Sequence, residues 1–451
     1  MRIGRAKAVG QLGLLALCLL LPACGEPPST SSAASQTEDS QAAVPGDESA
    51  AEVDPGGIIA SPEPDWPQFG GPRRDGTSDE KGLAPTWPKG GPPLVWKIGG
   101  LGYGWSSPIV VGDRLYVTGD VDDDLVIFAF DLSGKPQWQA KNGKAWTGSY
   151  HGCRACCAYS EGKLYHLNAH GRVACLDAAT GKELWACDLT QRFQASEITW
   201  AFAECLLVDG RHLLVTPGSG TALMAALDKQ NGQTIWTTPP LDADKATYSS
   251  PLLFRYAGRR IVANCSSAHG FGVDADTGKL LWTVPLKNTY GVNVTMPNFD
   301  GGRVFYVTAY AFGACYRLRP GKTGWKAENV WRTTLDTCTG SVLLVNGLLI
   351  GSGYEKHRTW LCLDWATGQP LYEFTGLTIG SAVFADGRMY CLGVDGQVSL
   401  VKPARERFEV NGRFQLLPHK VRDAWAHPVL LHGKLYLRYH DRLWCYDVGA
   451  K

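Results

Sequence analysis

The longest apolar run in the 451-residue chain, Leu12 to Leu21, is too short to span a bilayer as a mature helix. Residues 25–64 contain no Lys or Arg. Residues 65–451 carry 41 Lys+Arg against 35 Asp+Glu without a basic cluster, so a net charge of +6 leaves no footprint for nucleic acid. No Cys-x-x-Cys-His occurs, since Cys153-Arg154-Ala155-Cys156 runs directly into Cys157, which argues against covalent c-type haem. Gly218-Ser219-Gly220 is followed by no Lys-Ser or Lys-Thr and no helix signal, so it reads as a turn rather than a phosphate loop.

What is present is a repeat. Cys156 to Leu189 divides into four strand-length segments separated by turns at Gly162, Gly171 and Gly181, where glycine supplies the positive φ of a tight hairpin. This is a four-stranded antiparallel meander, and one such sheet cannot bury both faces, so it must stack on copies of itself. The copies share an Asp/Gly-Gly turn before a strand and a hairpin of the form L-D-x-x-T-G-x-x-L-W. Their closing aromatics fall at Trp138, Trp185, Trp236, Trp282, Trp331, Phe374 and Phe414, with spacings of 47, 51, 46, 49, 43 and 40 residues. That period is one propeller blade.

The eighth unit stops at Asp447 after three strands, and LVWKI around Trp96 reads as an outer strand without its own preceding three. The predicted fold is all-β: an eight-bladed β-propeller of four-stranded antiparallel blades over 94–451, closed when the N-terminal strand completes the last blade. Closure removes the exposed strand edges an open ring would carry.

Ahead of the propeller lie three segments. Residues 1–24 read as a lipoprotein signal peptide, with Arg2, Arg5 and Lys7 before the apolar core and Leu21-Pro22-Ala23-Cys24 resembling a lipobox, so Cys24 is the expected lipidation site. Pro22 departs from that pattern. Residues 25–64 hold eight acidic residues among Ser, Ala and Pro, and are expected to be a disordered acidic tether. Residues 65–93, rich in Pro and Gly yet carrying Trp66, Phe69 and Trp87, are expected to be a strap packed on the propeller surface.

The opening DWPQFGGPRRDG, the repeated L-D-x-x-T-G-x-x-L-W hairpin, TYSSPLL before GVDADTGKLLW, and NTYGVNVTMP before GGRVFYVT resemble the PQQ-like (quinoprotein-type) β-propeller repeat proteins. The resemblance covers about 65–447 and implies an eight-bladed propeller whose outer-strand tryptophans dock between blades. It implies no single activity. Some members of that group are lipoproteins of outer-membrane protein assembly, and others are alcohol dehydrogenases that hold pyrroloquinoline quinone and a metal.

Residues just before each inner strand are expected to crowd one mouth of the central channel. Counting back from the second strand places Cys157 and Cys205 in one ring with Pro108, and Cys156 and Glu204 one step earlier with Ser107, Ser250 and His427. Adjacent Cys156 and Cys157 read as small apolar filler, as a vicinal disulfide of the kind the resemblance implies near a quinone, or, with Cys153 and His151, as a soft-metal site. Arg154 is positioned to pair an anion. Trp105, Trp200 and Trp425, each preceding an inner strand, are candidates to stack a planar ligand, with core packing the plainer reading. Twelve cysteines remain beyond Cys18 and Cys24, scattered over the blades rather than spaced as a staple framework.

The functional expectation is a non-catalytic binding or assembly platform. It is expected to be lipid-anchored through Cys24 on the periplasmic side of a bacterial membrane, with the outer membrane favoured, envelope-protein partners and a monomeric propeller. No cofactor, catalytic residue or metal site is expected. The alternatives are a dehydrogenase binding pyrroloquinoline quinone with calcium through Arg154, Glu204 and the adjacent cysteines, and a glycan-binding propeller resting on the three tryptophans.

Overall fold

The computed structural model describes residues 54–321 and 324–450; the targeting segment, Cys24 and the tether up to residue 53 lie outside the described residues. Eight four-stranded antiparallel sheets follow one another as blades: 109–144, 158–188, 207–238, 252–285, 298–333, 342–374, 380–415, and last 429–447 joined by Leu94–Ile98. One short helix, Leu189–Phe193, is capped by the Asp188 carboxylate, which accepts from the amides of Thr190 and Gln191.

Inner strands such as Ile109–Val111 are buried on both faces, whereas outer strands such as Glu183–Asp188 and Thr234–Thr238 are mostly exposed to half-exposed. The outer strands belong to the rim and their tryptophans to the seams. Trp96 donates its indole N–H to the Leu132 carbonyl at 2.8 Å, Trp138 to Ala178 at 3.1 Å, Trp185 to Lys229 at 3.1 Å and Trp331 to Trp365 at 3.2 Å, each acceptor lying one blade further on.

The repeat hairpin is explained by those seams. In the turn 177–181, Asp177 accepts from both the amide and the hydroxyl of Thr180, and the same pair recurs as Asp274 with Thr277 and Asp364 with Thr367. The following glycine has a positive φ, and it also lies under the preceding blade's tryptophan. A Cβ on Gly181 would stand 2.5 Å from Trp138, on Gly232 2.6 Å from Trp185, and on Gly368 2.3 Å from Trp331. Aspartate and threonine shape the turn, glycine admits the ring, and tryptophan fills the wedge between blades.

The ring shuts as the sequence predicts. Leu94–Ile98 pairs antiparallel with Arg442–Asp447, Trp96 opposite Cys445, with a bulge between Leu94 and Trp96.

The end of the N-terminal segment ahead of the strap departs from expectation. Residues 54–64 are not free tether: Gly57–Ile58 adds a fifth strand against Arg255 and Phe254 of blade 4, and Glu63 accepts from Ser160 and Glu161 of blade 2. The tether reading fails there because Ile58 and the backbone of 57–59 complete an inner-strand edge that acidic composition does not reveal. The strap over 65–93 does more than lie on the surface. Trp66 bridges to Val110, Thr77 to Phe384 and Leu83 to Gly449, so it runs across blades 1, 7 and 8. Trp66 and Trp87 are 2% and 7% exposed, burial worth on the order of 2–3 kcal/mol each.

Between these anchors Arg74 turns inward and is 2% exposed. Its guanidinium donates to the carbonyls of Pro251 (2.8 Å), Leu206 (3.0 Å) and Cys205 (2.8 Å) and to Gln68 Oε1 (3.2 Å). Burial draws its pKa down to about 10, and no carboxylate bonds it.

Candidate functional site

A cavity of about 280 Å³ occupies the centre of the ring, lined by residues preceding the inner strands, by the strap at Phe69 to Gly76, and by aromatic loops at the opposite end. The volume is at the small end of the range for small-molecule sites, about 300–1,000 Å³. Arg74 closes the strap end.

The waist is a girdle of hydrogen bonds passing from blade to blade. The His427 amide donates to Ser107 Oγ at 2.7 Å and the Ser107 amide to Cys156 Sγ at 3.2 Å. The Cys156 amide then donates to Cys205 Sγ at 3.2 Å, and the Cys205 amide to Ser250 Oγ at 2.9 Å. Across the ring the Ala382 amide donates to Ser341 Oγ, which also lies 3.2 Å from His427 Nδ1. At these positions the amide near the start of the inner strand finds its partner in a side chain of the neighbouring blade.

The mouth is aromatic. Trp105 and Trp425 stack at 4.6 Å with 28° between planes, and Tyr150 lies 5.5 Å from Trp425. Trp200 packs on Tyr248 at 6.0 Å, and Tyr310 sits between Tyr290 at 5.0 Å and Tyr354 at 5.2 Å. Tyr150 and Tyr290 are 55% and 59% exposed, an unusual cost for rings of this size unless something covers them.

The structure brings together five of the seven candidate cofactor-site residues and sets two aside. Trp105, Arg154, Cys156, Trp200 and Trp425 line the cavity; Cys157 and Glu204 do not. Cys157 is absent from the cavity wall and packs with Cys153, Leu164 and Ala174 in an apolar cluster that also takes in Cys156 and Cys205. Cys156 and Cys157 are free thiols, not a vicinal bridge. Glu204 is displaced by one position: the strand pairing sets Leu213 and not His212 opposite Val208, so Cys205 takes the ring position counted for Glu204. The carboxylate is instead buried, accepting from the Thr216 amide (2.8 Å), the Thr216 hydroxyl (2.6 Å) and Asn264 Nδ2 (3.3 Å). Burial pushes its pKa up to about 7.

Arg154 is also spent. Its guanidinium lies 5.3 Å from Trp105 and 5.8 Å from Trp146 and donates to the carbonyls of Gly152, Ser149 and Tyr150, stapling its own loop rather than presenting a fork to an anion. Asp336, a further buried carboxylate, caps the turn 354–356 through three amides.

A quinone-bound metal needs convergent carboxylate and amide oxygens. The carboxylates lining the cavity are Asp75 and Asp423, the first bound by Arg73 and Thr77 and the second paired with Lys420. Among the described residues no group of three or more His, Cys, Asp or Glu converges. This donor set does not fit a quinone with its metal.

The tyrosines of the mouth escaped the sequence reading. Tyr150 and Tyr248 occupy the same pre-inner-strand loops as the three tryptophans, and Tyr310 and Tyr354 follow the second strands of blades 5 and 6, so inspection of both loop positions across all blades would have found them.

Comparison with known proteins places the fold among characterised relatives. A PQQ-repeat family profile described as "Outer membrane protein assembly factor BamB" matches residues 122–371. A lanthanide-dependent methanol dehydrogenase from Methylacidiphilum fumariolicum is 29% identical over 32% of this chain and 24% of its own length. The outer membrane protein assembly factor BamB of Yersinia pestis is 22% identical over 54% of this chain and 62% of its own. The chain thus spans less than two thirds of the length of either. Among solved structures, BamB from Moraxella catarrhalis superposes with a TM-score of 0.56 at 15% identity, covering 78% of this chain and 97% of that one. Quinohemoprotein alcohol dehydrogenase from Comamonas testosteroni gives 0.58 at 14% identity, covering 86% and 81%.

Proposed function

Because the chain belongs to the PQQ-repeat family described as outer membrane protein assembly factor BamB, we propose that it is a non-catalytic binding platform of the bacterial cell envelope. Its docking face is the aromatic mouth, and Cys24 is its lipid anchor. The observation that carries the reading is the pairing of a half-exposed ring of tyrosine and tryptophan with a waist whose polar groups are already satisfied. Aromatic rims of this kind supply large contact area at low entropic cost, which suits protein recognition. Glu204 and Arg154, the groups considered for holding a quinone, are engaged within the fold, which supports the platform over a quinone site.

The test is photo-crosslinking in cells with a probe at Tyr150 or Tyr290, against a control probe at Glu80 on the strap face, followed by gentle detergent extraction. Envelope proteins captured from the mouth positions and absent from the control support the platform. The quinone reading draws support from the matched dehydrogenase, and the same purified protein tests it: a stoichiometric chromophore on adding pyrroloquinoline quinone and calcium, with dye-linked alcohol oxidation, overturns the platform.

A further inference from the structure

Cys156 and Cys205 meet in the cavity wall at the seam between blades 2 and 3. Cys156 and not Cys157 lines the cavity beside Cys205, whose sulfur accepts the Cys156 amide at 3.2 Å. Other blades fill equivalent girdle positions with Ser107 and Ser250, whose hydroxyls are the better acceptors. Two neighbouring sulfurs are poorly explained by hydrogen bonding alone.

We infer that Cys156 and Cys205 form a reactive dithiol, open to small disulfides entering at the mouth, that oxidises to a bridge joining blades 2 and 3. The two sulfurs have unequal roles. The groups facing Cys205 are Cys156 of blade 2, Arg74 of the strap and Ser250 of blade 4, with the buried Glu204 beside it and Cys157 near it on the core side. The hydrogen bond from the Cys156 thiol, the amide donor and the Arg74 cation together hold Cys205 below the usual thiol range, while burial raises Cys156. Thiolate character makes the nucleophile.

Cys205 thiolate attacks one sulfur of the entering disulfide, that S–S bond breaks, and the first thiolate leaves carrying its electron pair. Cys156 then loses its proton to solvent and attacks the Cys205 sulfur of the mixed disulfide, expelling the second thiolate. Two electrons pass from the pair to the reagent, and two reagent thiols are released for one protein bridge.

The experiment treats the native full-length chain with 4,4′-dithiodipyridine and maps the products by peptide mass spectrometry. The expected result is a first phase releasing two equivalents of thiopyridone per chain, with loss of two hydrogens and a cross-linked peptide joining residues 156 and 205. In Cys156→Ser the phase halves to one equivalent and leaves a pyridyl adduct on Cys205; in Cys205→Ser it disappears. A first phase confined to half-buried Cys187, a bridge between Cys156 and Cys157, or no native reaction at residues 156 and 205 overturns the inference. Mapping of the unsubstituted chain decides the matter even if a variant fails to fold.

Discussion

Gly181 carries the indole of Trp138 on its bare α-carbon, at a φ of +73°, across the seam between blades 1 and 2. Gly162 has nearly the same φ, +75°, but nothing within 4 Å of where a Cβ would stand. The two positions separate backbone strain from ring contact. Gly162→Ala is expected to cost about 1 kcal/mol, and Gly181→Ala about 2–4 kcal/mol because the ring must also move. Urea midpoints with an unchanged slope check the difference.

Arg74 satisfies three carbonyls and the Gln68 side chain without a carboxylate of its own. Arg74→Met keeps the bulk, relieves a costly buried charge and strips four acceptors, each bare one costing about 1–3 kcal/mol. The expected net loss is about 2–4 kcal/mol, seen as a lower thermal midpoint, with faster hydrogen exchange in the strap than in blades 5 and 6.

Glu204 gives a pH dependence of fixed sign. Burial raises its folded pKa to about 7, above the ordinary carboxylate value, so between those values the folded chain holds more protons than the unfolded one. Stability therefore falls as pH rises through that window and levels off above it. Glu204→Gln keeps the shape and removes the titration. Relative to wild type, the variant should gain on the order of 3 kcal/mol between pH 4.5 and pH 8, and parallel denaturation series at the two pH values measure it. His166, drawn down to about 4 by burial, has the opposite slope, which is why the comparison is with the variant rather than with a single curve.

Tyr150 and Tyr290 project from the mouth with over half their surface free. Tyr150→Ser with Tyr290→Ser should leave the thermal midpoint within a few degrees, since exposed sites contribute roughly 0.5 kcal/mol or less, while cutting recovery of envelope partners in pull-downs at least tenfold. Equal recovery would move the docking face elsewhere.

The repeat was legible because each blade repeats local chemistry: the Asp177–Thr180 turn, the glycine after it and the tryptophan that follows are all within a dozen residues of one another. Closure by Trp96 was legible as a missing strand at one end and a surplus at the other. Arg74 and Gly57–Ile58 were not, since their partners at Cys205, Pro251 and Phe254 lie far along the chain and leave no periodic trace. At the site, the mouth tryptophans and Cys156 emerged from counting back along each blade. Glu204 failed because the count began at His212, one residue early, and along a strand a single step reverses the facing of a side chain.

The strap ties the beginning of the described chain to its end. Glu80 accepts from the amides of His432 and Gly433, 352 and 353 positions further on, and Leu94 faces Tyr446 in the final sheet. A nascent chain therefore carries its closing strand in hand until nearly everything else has been synthesised. Until that moment the edge of Leu94–Ile98 has no partner strand, and ring closure waits on a contact more than 340 residues away along the chain.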